Sequence, residues 1–530
     1  MHTYVALFIY FLTCFVVYQI ASAIVSNRRH AARARELDCK MPPRVPCSDP
    51  LGINNIRRLL KSDREKRMPE YLVERTEEVS HLEGRNVSTM VQTLLGKDGF
   101  FTIEPKNIQA ILATQFKDFG LGDARNNNFK PLLGRGIFAT DGKQWEHSRA
   151  MLRPQFIREQ VSDLDLEERH VQNMMRALPA KADGWTESTN IQTLFFRLTL
   201  DSATEFLFGE SVDSQLAELP SYTSHNTSPA HNEKLFAYNF DRSQAYLAKA
   251  ARFGDRYWMA HNAEFKYFCK QVHGFVDHFV QLALNKNIQK KPLESGESGK
   301  GKYVFLEAIA AETKDPVELR SQLLNILLAG RDSTASLLGW LFLMLLQHPA
   351  TFRRLREAVL HDFGSYTEPR NLAFSGLKNC AYLQWVLNET LRLFPVVPLN
   401  SRRAFRDTTI PVGGGPDGRS PIYIRKGQQV DYSVHVMHRR RDLWGEDADD
   451  FKPERWNGRK PGWEYLPFNG GPRICIGQQF ALTEAGYVVV RLLQRFEAMD
   501  GEVPTRYMHG VTLTSCPADG VTVRLKEAAA

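Results

Sequence analysis

No two of the seven cysteines form a CxxC pair, and their positions (Cys14, Cys39, Cys47, Cys269, Cys380, Cys475, Cys516) are widely scattered. An odd, dispersed set indicates neither a zinc module nor a disulfide framework, and fits reduced thiols in a cytosolic setting. No segment recurs at a fixed period, which argues against solenoids and propellers. Charge of one sign is also scarce. The 68 Lys and Arg against 60 Asp and Glu leave +8 over 530 residues, mostly interspersed. No nucleic-acid partner is expected, although a local basic face for an acidic protein stays open. Gly413-Gly414-Gly415-Pro416 lacks the strand–turn–helix setting of a dinucleotide fingerprint. What remains is a globular composition, 43% hydrophobic and 24% charged, which argues against disorder.

Residues 4–25 carry no charge, and that length matches the roughly 20 residues needed to cross a bilayer as a helix. Arg28, Arg29, Arg33 and Arg35 follow, while no Lys or Arg precedes. The positive-inside rule then puts everything after residue 26 in the cytosol. The rival is a cleaved signal peptide, because Ala21-Ser22-Ala23 resembles a small-residue cleavage site; against it, the usual positive n-region is missing. The expected organisation is an anchor over residues 1–26, a basic, Pro-containing connector over 27–50 (Pro42, Pro43, Pro46) and one catalytic domain over 51–530. The sequons at Asn86, Asn226 and Asn388 would be silent in the cytosol.

Helical patterns dominate from about residue 140, with short β-type runs near 100–103, 422–424 and 521–525. Asp315-Pro316 opens the clearest helix, an N-cap residue followed by proline at the first helical position. It can run to Gln347, where His348-Pro349 stops it. Residues 323–346 are apolar enough to suggest a second membrane span. An Arg331-Asp332 pair near the middle makes a buried central helix with one polar notch the better reading. The Gly-rich stretch 294–302 reads as a surface loop.

The decisive segment is Phe468-Asn469-Gly470-Gly471-Pro472-Arg473-Ile474-Cys475-Ile476-Gly477. An isolated cysteine is by default a small buried hydrophobe. Around Cys475, however, glycines let backbone approach a flat ligand and expose amide N–H groups to the sulfur, and such donors stabilise a thiolate. Arg473 stands ready for an anionic group at the ligand's edge. Glu389 and Arg392 share one face of an apolar helix, a spacing more often found in surface ion pairs. Trp145 and Arg149, spaced i,i+4, also face one way, as in any amphipathic helix.

The segment around Cys475 resembles the haem-binding signature of cytochromes P450 at every fixed position. That resemblance implies a mainly α fold with small β-sheets, an N-terminal transmembrane helix, and haem b whose iron takes the Cys475 thiolate as axial ligand. It implies that Phe468 and Gly477 frame the cofactor. Glu389 and Arg392 resemble the family's E-x-x-R, with Arg455 as the second arginine, a structural support for the Cys475 loop. Trp145 and Arg149 resemble the family's propionate-binding W-x-x-x-R. Arg402, with Arg403 as its competitor, would join Arg149 and Arg473 in neutralising two propionates. Ala329-Gly330-Arg331-Asp332-Ser333-Thr334 resembles the oxygen-activation motif, where Ala329 leaves room and Asp332, Ser333 and Thr334 relay protons. Ser333 departs from the usual threonine and loses the methyl that restricts its rotamer.

Residues 107–120, 141–156, 198–214 and 465–493 look closest to fungal microsomal P450s that hydroxylate n-alkanes and fatty acids. The resemblance implies O2, a lipophilic substrate, NADPH–cytochrome P450 reductase as electron donor, and an endoplasmic-reticulum membrane location with the catalytic domain cytosolic. Substrate would be read by residues 126–138, 234–252, 396–400 and 508–514, with Arg242 or Arg252 as a carboxylate anchor. Lys143, Arg153 and Arg158 would contribute a docking face. Two other readings stay open: a P450 acting on another lipophilic substrate such as a fungal secondary metabolite, and a non-catalytic haem-binding protein.

Overall fold

The computed structural model describes residues 2–156, 164–219, 233–289 and 304–529. Arg158, Asn226 and the 294–302 stretch lie outside the described residues. The chain divides into two compact units. One comprises Met1–Arg58, Val73–Gly120 and Ser401–Tyr432; the other comprises Leu59–Leu72, Leu121–Asn400 and Ser433–Ala530.

The first unit begins with helix α1 (His2–Glu36), whose apolar side chains are exposed along its length. A helix that long, whose apolar stretch is exposed, meets the requirement for crossing a bilayer. The unit's sheet has five strands: β1 (Thr89–Leu94), β2 (Lys97–Thr102), β3 (Phe119–Gly120), β4 (Leu399–Ala404) and β5 (Gln429–Ser433), in the order β1-β2-β5-β4-β3. β1 and β2 are antiparallel, with Thr89 opposite Thr102; β2 and β5 run parallel, with Phe100 opposite Val430. The Pro-containing connector does more than space the anchor. Val45 donates its N–H to Val91 O, and Val91 donates to Pro43 O, both at 2.9 Å, so it extends the sheet edge. The triple glycine lies in the hairpin Thr408–Gly414/Ser420–Ile424, where Gly413 (φ +111°) and Gly415 (φ +78°) turn the chain.

The second unit is mainly helical. The elements that matter for the site are α2 (Gly142–Leu152), α3 (Leu164–Arg176), α4 (Ile191–Phe208), α5 (Glu233–Arg252), α6 (Pro316–Gln347), α7 (Ala381–Leu393) and α8 (Gln478–Arg495). α6 starts and stops at the expected signals. Asp315 caps it by accepting the Val317 N–H at 2.9 Å, Pro316 fills the first position, and His348 ends it before Pro349. Leu323, Leu327, Leu338, Trp340 and Leu341 of α6 are fully buried, and α4 and α8 pack against it. Each such leucine contributes roughly 1.5–3 kcal/mol of apolar burial, so α6 is a core helix and not a second membrane span. A three-stranded sheet of Thr189–Asn190, Thr522–Glu527 and Phe496–Gly501 and the hairpin His509–Val511/Ser515–Pro517 complete the unit.

Candidate active site

The Cys475 loop is built to hold its sulfur in one place. Asn469 (φ +63°) and Gly471 (φ +66°) bend the backbone, and Cys475 N–H donates to Phe468 O at 3.0 Å. A Cβ on Gly470 would come within 2.8 Å of the Trp463 ring, so only glycine fits there. Cys475 is densely surrounded by protein and yet exposed. Both hold because the loop packs on one side of the sulfur and a cavity of about 720 Å³ opens on the other, lined also by Trp145, Arg149, Phe156 and Ile476. Burial pushes the thiol's pKa up, while the Gly477 N–H and the Arg149 charge pull it down.

Arg149 Nη1 donates to Ile474 O at 2.9 Å, and its guanidinium lies 5.9 Å from the Trp145 ring. Arg473 stacks closer on the same ring, at 4.4 Å, and donates to Asp141 at 2.8 Å and to Thr140 O at 3.1 Å. Trp145, Arg149, Arg473 and Cys475 are thus brought together at one loop. Arg402 belongs to the first unit, on β4, buried, with Nη1 donating to Ser401 O at 2.7 Å and its guanidinium 5.8 Å from the Tyr432 ring.

A buried cluster is built around α7. Arg392 and Glu389 of α7 are 0% exposed and form a two-point ion pair at 2.9 Å. Arg392 also donates to the carbonyls of His438, Ala448 and Asp450. Glu389 accepts from Arg455 Nε (3.0 Å), Trp456 Nε1 (3.0 Å) and the Lys452 N–H (2.9 Å). Asp447 holds the other side of Arg455 at 2.9 Å. A buried pair needs such additional partners to offset its desolvation.

The polar notch of α6 splits onto three faces. Ala329, Gly330 and Ser333 are only partly buried inside a helix that is otherwise sequestered, and Ser333 Oγ donates to Ala329 O at 2.6 Å. A Cβ on Gly330 would touch only Ala203, at 3.7 Å, so there is free space at this face. Asp332 turns instead toward α5, beside Arg331 (3.4 Å) and the Gln244 side chain; Arg331 in turn grips Asp241 of α5. Burial pushes the Asp332 carboxyl up to about 6, against the pull of Arg331. Thr334, 1% exposed, faces α8.

The residues fit a flat cofactor ligated by sulfur: a loop-held thiol facing a cavity, an N–H aimed at the sulfur, and two guanidiniums beside one tryptophan. Arg242 and Arg252 do not stand free for a substrate carboxylate. Arg242 pairs with Glu264 at 3.3 Å, and Arg252 with Asp63 at 2.7 Å and Val511 O at 3.0 Å. Lys143 and Arg153 are exposed near the Cys475 loop, and Arg153 lines the cavity.

Such a site defines a haem-thiolate oxygenase. The comparisons agree: a family model described as Cytochrome P450 matches residues 76–519. Cytochrome P450 monooxygenase g430 of Fusarium sp is 52% identical over 97% of this chain and 90% of its own length. Cytochrome P450 monooxygenase alt2 of Alternaria solani is 43% identical over 96% and 95%. Cytochrome P450 52A13 of Debaryomyces hansenii is 44% identical over 96% of each. The chain belongs to the cytochrome P450 family, and is a haem-dependent monooxygenase.

Proposed function

We propose that this protein inserts one oxygen atom of O2 into long-chain alkanes or fatty acids, at or near the terminal carbon, using electrons from NADPH–cytochrome P450 reductase. The observations that carry the reading are a cavity-facing Cys475 and, separately, an open, partly polar face on α6. The substrate class rests on the resemblance of residues 107–120, 141–156, 198–214 and 465–493 to the fungal hydroxylase group, together with the relatives of the 52A series. A second reading, another lipophilic metabolite, draws support from the 52% identical relative, whose name lies outside that series. The apolar part of α1 and the arginines in its C-terminal turns support a single-pass location in the endoplasmic reticulum, with residues 51–530 acting as one cytosolic catalytic domain.

Haem bound through Cys475 supplies the activation of O2. The protein's own groups do the rest. The Gly477 N–H tempers the sulfur's charge, and Phe468 O fixes the Cys475 backbone. Arg149 and Arg473 would neutralise the cofactor's carboxylates, with Trp145 as the platform under both. Ala329 and Gly330 would leave room at the open face of α6, while Ser333 and Asp332 would hold protons there and Thr334 would back them from the α8 side. Glu389, Arg392 and Arg455 keep the loop in register. Lys143 and Arg153 offer a basic face to the acidic surface of an electron donor.

The test is expression with a fungal reductase in microsomes, addition of NADPH with mixed long alkanes and fatty acids, and location of the inserted oxygen by mass spectrometry. Terminal hydroxyl products that vanish with Cys475→Ala establish the reading. No product despite a normal carbon-monoxide spectrum sends the substrate class to other lipophilic metabolites.

A further inference from the structure

Asn325 of α6 is fully buried, and its amide is committed to its neighbours. Its Oδ1 accepts the Phe138 N–H at 2.9 Å, and its Nδ2 donates to Leu133 O at 2.9 Å and to Ser321 O at 2.7 Å. Only this orientation of the amide matches one donor and two carbonyls. Two of the three partners lie at and beyond the end of the helix Asp123–Leu133. One side chain therefore holds both ends of residues 133–138.

The fit is close. A Cβ on Gly136 would come within 2.1 Å of Asn325 Nδ2, and one on Gly134 (φ +63°) within 2.1 Å of Ser321 Oγ. The same glycines leave the stretch little conformational preference of its own. Inside it, Thr140 Oγ1 and the Ala139 N–H both donate to Gly136 O, at 2.8 and 3.1 Å. Its far end is held by Arg473, which donates to Thr140 O and Asp141. Residues 133–141 are a strap pinned at one end to α6 and at the other to the Cys475 loop.

Asn325 precedes Ala329 by one helical turn and Ser333 by two, on the face that carries both. At 1.5 Å per residue the pin lies about 6 Å along the helix axis from Ala329, so the strap borders the open part of α6. Its stiffness matters because the C–H bonds of a terminal methyl are stronger than those of the methylenes beside it. An alkyl chain free to slide reacts at its methylenes. Oxygen goes to the end only where something fixed stops the chain from advancing.

We propose that Asn325 is a positioning residue for regioselectivity: by pinning residues 133–138 to α6 it holds a fixed wall beside the open face, and that wall admits only the end of an alkyl chain. The inference deepens the proposed hydroxylation of alkanes and fatty acids and rests on it. Released from Asn325, the strap yields, and oxygen moves to carbons further from the terminus.

Asn325→Leu keeps the volume and removes all three hydrogen bonds. Gly136→Ala leaves Asn325 in place and drives its amide off the strap. Both are made in the full chain, loaded with haem and checked by the carbon-monoxide spectrum. Hydrogen exchange, followed by mass spectrometry on peptides spanning 133–141, reports the strap without any substrate. Turnover of mixed long alkanes and fatty acids with reductase reports the ratio of terminal to internal oxygenation. A ratio does not move when a variant merely loses active enzyme. Both variants are expected to exchange several-fold faster in this stretch, with a several-fold fall in the ratio. Wild-type exchange in a haem-loaded variant overturns the pin, and a wild-type ratio with accelerated exchange overturns the role in regioselectivity. A wild type that oxygenates only internal carbons overturns that role as well. Where Asn325→Leu fails to incorporate haem, Gly136→Ala decides both points. If the wild type oxygenates neither alkanes nor fatty acids, the proposed function falls and the regiochemical role with it, while the exchange data still judge the pin.

Discussion

His438 accepts the backbone N–H of Leu466 on Nε2 at 3.0 Å, and on its other side Nδ1 donates to the Arg392 carbonyl at 3.0 Å. One neutral imidazole therefore joins the buried ion-pair helix to the stretch that leads into the Cys475 loop. Only the Nδ1–H tautomer satisfies both bonds, and protonation of Nε2 breaks the one from Leu466.

This makes the loop sensitive to acid. Burial, with Arg392 and Arg439 adding repulsion, lowers the His438 pKa to about 3, against 6.5 in the unfolded chain. The unfolded state binds the extra proton first, so stability falls as pH drops from about 6.5 toward 3, by up to ~1.4 kcal/mol per pH unit from this group. His435, also buried and held neutral, steepens the same limb. Thermal unfolding of the wild type should lose midpoint steadily below about pH 6, and His438→Gln should flatten that limb. Equal slopes in the two proteins would show that His438 does not carry it.

Removing Glu389 should be far more damaging than its neutral replacement suggests. Glu389→Gln leaves Arg392 and Arg455 facing a neutral amide in a fully buried site. Breaking a buried pair from one side costs about 3–5 kcal/mol, a large share of a domain's stability. The expected result is a drop in the denaturant midpoint and a loss of haem content. Wild-type haem incorporation and midpoint in Glu389→Gln would contradict the supporting role.

These residues also mark what was legible in the sequence. The Cys475 loop, the Glu389–Arg392 pair and α6 were readable because each is a local pattern: a fixed motif, an i,i+3 spacing, a cap followed by proline. The short strands near 100, 422 and 521 also fell on the β-type runs. Helices Ile53–Arg64 and Asp123–Leu133 precede the region where helical pattern was strongest, and their mixed polarity hid them. Gln244, Asp241 and His438 were invisible, since each reaches its partner through tertiary packing and no local spacing links them. The three-faced notch was hidden for a related reason. Six consecutive residues read as one motif, but a turn every 3.6 residues sends Asp332, Ser333 and Thr334 to different neighbours.

Asp332 should set the alkaline limb in turnover. Its carboxyl, raised to about 6 by burial, gives up its proton as pH rises through that value. As a proton donor it is then loaded below about pH 6 and increasingly spent above it, so the proton-dependent rate should decline toward alkaline pH. Asp332→Asn should remove this dependence and slow product formation by roughly 100-fold, within the usual range for general-acid groups. A solvent isotope effect that rises in the variant would identify proton delivery as the slowed step; an unchanged pH profile would assign the limb elsewhere.

Ser333 decides whether the departure from threonine matters. Its hydroxyl lies on the open face of α6 and is parked on Ala329 O at 2.6 Å, a bond it must leave to serve a proton acceptor beside that face. Without a β-methyl the side chain turns more freely than threonine, which favours exchange between the parked and outward rotamers but weakens retention of either. Ser333→Ala deletes the hydroxyl and should raise peroxide per NADPH by roughly 10-fold at unchanged haem content. Ser333→Thr keeps it and restricts the rotamer, so coupling should equal or exceed that of the wild type. The decisive comparison is the ratio of product to peroxide across the three proteins. If alanine and serine give the same ratio, proton delivery passes through Asp332 and water alone, and the serine is a packing residue of the long helix.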